Sequence, residues 1–161
     1  MSNLIPVKTA LTIEFSYGVD SSHLPNEAQL LEWAQNAIQD LMTEPCHIDI
    51  RITDMDEIKT LNAQFRQKDS PTNVLSFPAE PMPGIKMTHL GDIAICAEIV
   101  VSEASQQCKP VDHHWAHLIT HSILHLLGYD HIDSIEAQEM ELLETKILDR
   151  IDIPDPYLIN T

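Results

Sequence analysis

The run from Asp112 to Leu127 constrains the fold of this chain more than any other segment. From Trp115 onward its residues other than His, Thr and Ser are Trp, Ala, Leu and Ile. At about 100° per residue, these apolar side chains point in nearly every direction around a helix axis. A helix that is apolar on all sides is buried. The sequence therefore predicts a central helix here, around which the other elements pack.

Histidines in and just after this helix have the spacing of metal ligands. His121 and His125 are four residues apart, so their imidazoles project side by side from a helix. Gly128 falls where a helix ends in a left-handed residue, which lets the chain turn back and bring His131 to the same ion. Three neutral imidazoles with one position left for water describe a catalytic zinc site, with one Zn²⁺ per chain.

Another interpretation of these side chains is that they are core histidines hydrogen-bonded to backbone carbonyls, which is the commoner fate of a single buried histidine. Three histidines at ligand spacing favour the metal. His114 and His117 lie on the same stripe of the helix as His121 and His125. We expect His114 and His117 to support the ligands or to pack beside them rather than to bind the ion.

Length and composition indicate one globular domain over residues 1–161. The chain has 43% hydrophobic residues, enough for a core, and it contains no apolar stretch of membrane-spanning length. Its first residues lack the pattern of a secretory signal, so we expect a soluble, cytoplasmic protein without a membrane partner. The cysteines (Cys46, Cys96 and Cys108) are odd in number and widely spaced, which argues against a disulfide framework and against a thiolate zinc site.

The pattern of apolar residues predicts an α+β sandwich, with about five helices on a four-stranded mixed sheet. Cys46 to Thr53 alternates strictly and predicts a strand, and Asp54 is a candidate helix cap. The predicted strands are residues 9–17, 46–53, 72–77 and 90–96, and the predicted helices are residues 27–42, a segment after Asp54 that includes Phe65, and residues 98–107, 112–127 and 134–150. The proline-rich segment 78–89 is expected to be a loop, and the C-terminal tail to be ordered only in part.

The formal net charge of −16 argues against a nucleic-acid function, because an acidic surface repels a polyanion. The distribution of charge leaves a local basic patch open. Five of the nine lysines and arginines lie between residues 51 and 86, namely Arg51, Lys59, Arg66, Lys68 and Lys86. The alternative is that these are ordinary solvated surface charges.

Arg66 and Lys68 stand out within this basic segment, because they lie at the predicted exit of a helix, close before a strand. An arginine there can donate two parallel hydrogen bonds to a phosphate, and Lys68 can add a point charge. We therefore consider both as candidate phosphate contacts. The structural alternative is a surface ion pair between Arg66 and Asp69 together with capping of the helix end by cations.

Three stretches of the sequence, FRQKDSPTNVLSFP, LGDIAIC and HSILHLLGYDH, resemble the YbeY family of bacterial metal-dependent endoribonucleases. The resemblance spans nearly the whole chain. It implies a single-strand-specific nuclease acting in 16S ribosomal RNA 3′-end formation and in ribosome quality control. It also implies that His121, His125 and His131 hold zinc and that Arg66 and His121 are catalytic. The family glycine after the first metal histidine is replaced by Ser122, whose hydroxyl is expected to reach the helix backbone or a neighbouring ligand.

Three roles stay open at the level of sequence: the nucleophile, which is water or the RNA 2′-hydroxyl, the general acid, and the support of the metal ligands. The general acid is not identified, and Asp92, Asp69 and His117 are candidates; His117 and Asp92 are also candidates for supporting the metal ligands. The expected partners are ribosomal RNA and the small ribosomal subunit, with an assembly GTPase or a ribosomal protein as further candidates.

Two other functions fit the histidine spacing. A metzincin-like protease shares it, but in those enzymes a glutamate that accepts a proton follows the first histidine, and Ser122 is too weak a base to replace it. A ribosome-assembly factor with a structural zinc would not cut RNA. Three ligands rather than four argue against that reading.

Overall fold

The computed structural model describes residues 10–80 and 89–158, and within them it confirms the predicted α+β arrangement. The elements along the chain are β1 (Leu11–Tyr17), α1 (Glu27–Ile38), β2 (Cys46–Thr53), α2 (Met55–Arg66), β3 (Val74–Pro78), β4 (His89–Cys96), α3 (Ala97–Gln106), α4 (Val111–Leu126) and α5 (Ser134–Asp149). The sheet has the order β1-β2-β4-β3. Strand β2 is parallel to both of its neighbours, β1 and β4. Strand β3 is antiparallel to β4 and, as the last strand in this order, forms one edge of the sheet.

The alternation in β2 divides the molecule into two layers. Ile48, Ile50 and Ile52 are buried on one face of the sheet, in the main core that also contains residues of α1, α4 and α5. On the other face, α2 packs through Ile58 against a smaller apolar cluster from β3 and β4. Asp54 caps α2 as predicted, because its side chain accepts a hydrogen bond from the Glu57 amide at 2.8 Å.

Helix α4 is the central element that its composition predicts. It packs against α1, α3 and α5, and against β3 at the edge of the sheet. Its buried apolar side chains are Trp115, Ala116, Leu118, Ile119, Ile123, Leu124 and Leu126. In the described part of the chain, no helix is both long and apolar enough to cross a lipid bilayer.

The largest difference from the predicted boundaries is at the end of α1. The apolar periodicity predicts a helix as far as Met42, but the helix ends at Ile38. The amides of Leu41 and Met42 both donate to the Ile38 carbonyl, which forms a tight turn. Leu41 and Met42 still pack against the core. The turn therefore places these apolar side chains in the core, as a longer helix would have done. Thr9, the predicted start of β1, and most of the predicted loop 78–89 lie outside the described residues.

Gly91 allows β4 to lie unusually close to its neighbours. Its φ is +146°, and the register between β2 and β4 shifts next to it, from His47 opposite His89 to Ile48 opposite Gly91. A Cβ atom on Gly91 would lie 2.3 Å from the Phe77 carbonyl oxygen and 2.8 Å from Leu126 Cδ2. A side chain here would therefore push β3 and α4 away from β4.

Replacing Gly91 with alanine tests this close approach. We expect Gly91→Ala to lower the free energy of unfolding by roughly 2–4 kcal/mol, because strained backbone and steric overlap act together. Gly128→Ala is the matched control, since Gly128 also has a positive φ but has nothing within 4 Å of the added Cβ. It should cost only about 1 kcal/mol. Urea unfolding of the metal-free proteins measures both values, and equal losses would contradict this account.

Candidate metal centre

The structure brings the three predicted metal ligands together. His121 and His125 project from successive turns of α4, and His131 follows that helix. One ring nitrogen from each of the three lies within 4.8 Å of the others. The Nε2 atoms of His121 and His125 are 3.0 Å apart. These positions suit three ligands converging on one ion after small side-chain adjustments.

The turn after α4 explains how His131 returns to the helix. Gly128 has a φ of +99°, in the left-handed region that favours glycine. The Gly128 amide donates to the His125 carbonyl at 3.1 Å, and the Tyr129 amide donates to the Leu124 carbonyl at 3.0 Å. This pair of hydrogen bonds is the Schellman motif that often ends a helix at a glycine. The turn predicted from Gly128 is therefore confirmed.

Glu144 of α5 organises the histidines from the side of the core. Its side chain is fully buried. One carboxylate oxygen lies 2.6 Å from His121 Nδ1, and the other lies 2.9 Å from His117 Nε2 and accepts a hydrogen bond from the Tyr157 hydroxyl. Since the carboxylate can only accept from His121 Nδ1, the proton of His121 is held there and the lone pair of Nε2 faces His125.

The ionisation of Glu144 follows from these partners. Burial alone would raise its pKa, but the hydrogen bonds with His117, His121 and Tyr157 and the charge of His121 lower the pKa to about 2. Burial and the hydrogen bond with Glu144 raise the pKa of Tyr157 above its ordinary value. Glu144 is thus a permanent carboxylate near neutral pH, and Tyr157 stays a hydrogen-bond donor.

The donor set fits a borderline cation. Burial, followed by the charges of His121 and His131, lowers the pKa of His125, so its imidazole is neutral at physiological pH. Neutral imidazoles are the form that binds zinc, copper, iron or nickel. A carboxylate behind a metal-binding histidine, as Glu144 stands behind His121, is the usual way to fix its tautomer and ring orientation.

The three histidines open onto a cleft of about 920 Å³. Arg66 and Lys68 line the same cleft, at the exit of α2. One guanidinium nitrogen of Arg66 donates to the Ser76 carbonyl at 2.6 Å, and the guanidinium carbon lies 5.3 Å from the centre of the Phe77 ring. The edge strand β3 therefore holds Arg66 beside the cleft, and within residues 10–80 and 89–158 its other guanidinium donors make no hydrogen bond.

Arg51 and Lys59, the other described basic residues of segment 51–86, do not line this cleft. Arg51 is paired with Glu57, and Lys59 lies 4.0 Å from Asp69. The alternative ion pair between Arg66 and Asp69 is therefore not formed, since Asp69 faces Lys59 instead. Lys86 lies outside the described residues.

The two candidates for supporting the ligands have different surroundings. His117 lines the cleft and shares Glu144 with His121. Asp92 does not line the cleft, and lies on β4 beside Asp49 and His89. His114, the remaining histidine of the stripe, is 2.9 Å from Glu103.

Ser122 lies in the interior of the molecule, on α4. Its side chain is buried, and its hydroxyl donates to the Leu118 carbonyl at 2.7 Å, which is the backbone contact expected from the sequence. The position that carries the catalytic glutamate in metzincin proteases therefore holds a hydroxyl that faces the helix backbone. This arrangement leaves a protease mechanism without its proton acceptor at that position.

Glu144 and Tyr157 were missed by the sequence analysis. A signal for Glu144 was present, because it lies on the same face of α5 as the buried residues Met140, Ile147 and Leu148. A carboxylate on an apolar stripe needs a buried partner. Tyr157 belongs to the tail that was expected to be ordered only in part; Ile153 of that tail is buried in the core, and residues 159–161 lie outside the described part.

The fold and this site define a class of candidate metalloenzyme, with a three-histidine centre facing cationic side chains across one cleft. Residues 18–152 match the family described as Endoribonuclease YbeY, so this chain belongs to the YbeY family. The structure is also similar to the solution structure of a protein from Thermotoga maritima, with 25% sequence identity and a TM-score of 0.50. That similarity covers 91% of this chain and 99% of the other.

Glu144→Gln tests whether the buried carboxylate supports metal binding. Glutamine keeps the size of the side chain but removes the charge that fixes the proton on His121. We expect zinc affinity to fall about 10- to 100-fold, as measured by competition with a chromophoric chelator. Glu139→Gln is the control, because Glu139 is exposed on the same helix. Unchanged affinity in Glu144→Gln would contradict the role assigned to this carboxylate.

Proposed function

We propose that this chain is a zinc-dependent endoribonuclease specific for single-stranded RNA. It would act as one domain, in the cytoplasm, in 16S ribosomal RNA 3′-end maturation and in ribosome quality control. The observation that carries the proposal is the shared cleft, in which Arg66 and Lys68 lie with His121, His125 and His131. Membership of the YbeY family supports the reaction and the pathway.

His121, His125 and His131 would hold the zinc ion, one per chain. When bound, zinc supplies Lewis-acid chemistry towards phosphoryl oxygens and lowers the pKa of a coordinated water towards about 7. Glu144 keeps the proton of His121 on Nδ1, away from the ligand face. The helix and the Schellman turn place the rings before substrate arrives, so little reorganisation is required on binding.

Arg66 would stabilise the charge that develops on the phosphoryl oxygens during cleavage. One of its donors is committed to the Ser76 carbonyl, which fixes the guanidinium in place. The others have no partner among the described residues and could form charge-assisted hydrogen bonds to a phosphate. Preorganised donors of this kind contribute most when charge appears in the transition state. Lys68 adds a second positive charge to the cleft, as a candidate phosphate contact.

A preference for single strands is consistent with the aromatic residues of the cleft. Tyr129 and Tyr157 both line it, beside the histidines. Unpaired bases can stack on aromatic rings, whereas the bases of a duplex are covered by their neighbours. The combination of two cations and two tyrosines therefore suits a short unpaired segment of RNA.

Arg66→Ala is the central test of this proposal. With the zinc content unchanged by elemental analysis, we expect cleavage of single-stranded RNA to fall roughly 100-fold or more, because a donor to the transition state is lost. Lys59→Ala is the matched control, since it removes a positive charge from the same helix at a residue that does not line the cleft. A chelator should abolish cleavage by the unsubstituted protein. Full activity in Arg66→Ala, or in the presence of chelator, would overturn the mechanism.

The acidity of the chain leads to a prediction about RNA binding. A net charge of −16 provides no long-range attraction, so the isolated protein should bind RNA weakly, and specificity would come from the small ribosomal subunit, an assembly GTPase or a ribosomal protein. Two phosphate contacts predict a slope of about −1.4 for log K against log salt, or about sevenfold between ~50 and ~200 mM. Fluorescence anisotropy with a short RNA measures this slope. Tight, salt-insensitive binding would contradict the prediction.

A further inference from the structure

A second group of metal-ligand side chains lies on the sheet face that α2 covers, away from the main core. His47 and Asp49 come from β2, and His89 comes from the start of β4. His47 Nε2 is 3.0 Å from Asp49 Oδ1, and His89 Nε2 is 3.1 Å from Asp49 Oδ2. One ligand atom from each of the three lies within 4.8 Å of the others. Two imidazoles and a carboxylate are a ligand set for zinc and for other borderline divalent cations.

The sheet register explains why these side chains meet. His47 and Asp49 are two residues apart, so they share a face of β2. His89 lies opposite His47, and Asp92 lies opposite Asp49. His89 and Asp92 are three residues apart and would normally point to opposite faces, but the register shift after His89 brings both to one side. Four ligand-type side chains therefore face each other in two adjacent cross-strand pairs.

Two features of this cluster are poorly explained by ion pairs alone. His89 Nε2 is buried from solvent and makes no hydrogen bond with the described residues, although Asp49 Oδ2 is close. Asp49 and Asp92 also lie opposite each other in the β2–β4 register, and His89 Nε2 is 3.8 Å from Asp92 Oδ1. Two adjacent carboxyl groups require a shared proton or a cation beside them. A bound cation would give the His89 ring nitrogen and the carboxyl groups of Asp49 and Asp92 a common partner.

We propose that His47, Asp49 and His89 form a second binding site for a borderline divalent cation such as zinc, with Asp92 as an additional carboxylate ligand. The ion would link β2 to β4 and stabilise their pairing where the register shifts. The site lies across the sheet from the core that contains α4. It is independent of the nuclease proposed above, and either site can fail its test without affecting the other.

Titration of the unsubstituted protein with zinc, monitored by calorimetry, tests the proposal. We expect two equivalents to bind. His125→Gln, which removes a ligand of the cleft site, should retain the equivalent bound by the second site. The double substitution His47→Gln and His89→Gln should lose that equivalent and keep RNA cleavage within about twofold of the unsubstituted protein. His23→Gln is the control for non-specific binding, because His23 is an exposed loop histidine. It should retain both equivalents.

A second measurement needs no substitution and so does not depend on a variant that folds. In nitrogen NMR spectra of the full chain, zinc should shift the Nε2 resonances of His47 and His89, after the cleft histidines are saturated, and should leave His23 unchanged. The proposal is overturned if His125→Gln binds no zinc, if the double variant binds as many equivalents as the unsubstituted protein, or if His23 shifts as much as His47 and His89.

Discussion

The buried carboxylate of Glu144 is the contact on which the arrangement of the site depends. An ionised group with a fully buried side chain is destabilising unless each oxygen has a partner, and here His121, His117 and the Tyr157 hydroxyl provide them. These partners come from α4 and from the C-terminal tail, while Glu144 comes from α5. One charge thus joins three segments of the chain and sets the face that His121 presents to the cleft.

Helix α4 has to satisfy two conflicting demands. It is the centre of the core, where polar atoms are costly, and it also carries a stripe of imidazoles. The conflict is resolved by giving the stripe its own partners: Glu103 for His114, and Glu144 for His117 and His121. Along the stripe, His117, His121 and His125 line the cleft together with Gly128, whereas His114 is not part of its lining. Rigid packing behind the candidate metal ligands therefore comes from the same helix that supplies two of them, which favours preorganisation.

Local patterns in the sequence predicted most of the fold, because alternation in β2 and apolar periodicity in α4 are properties of neighbouring residues. The Gly128 turn and the Asp54 cap were predictable for the same reason. The contacts of Glu144 and Tyr157 were not predictable, since these residues lie 23 and 40 residues from the histidines they contact. Contacts between residues so far apart in the sequence depend on how α5 packs on α4. The pairing of His47 with His89 depends likewise on a register shift at Gly91 that no local pattern reveals.

The placement of charge explains how so acidic a chain can still present cationic side chains at its cleft. Arg51 and Lys59 are paired with carboxylates, and Arg150 is held by Asp40 and Asn36. Arg66 instead bonds a backbone carbonyl, which leaves its positive charge without a neutralising partner in that contact. Arg66 and Lys68 therefore contribute positive charge to the cleft at short range, beside the carboxylate of Asp130, and screening by salt is weak there. The net charge of the chain acts at longer distances, which salt screens. Local geometry thus outweighs the overall charge for a phosphate already in the cleft, although it does little to bring one there.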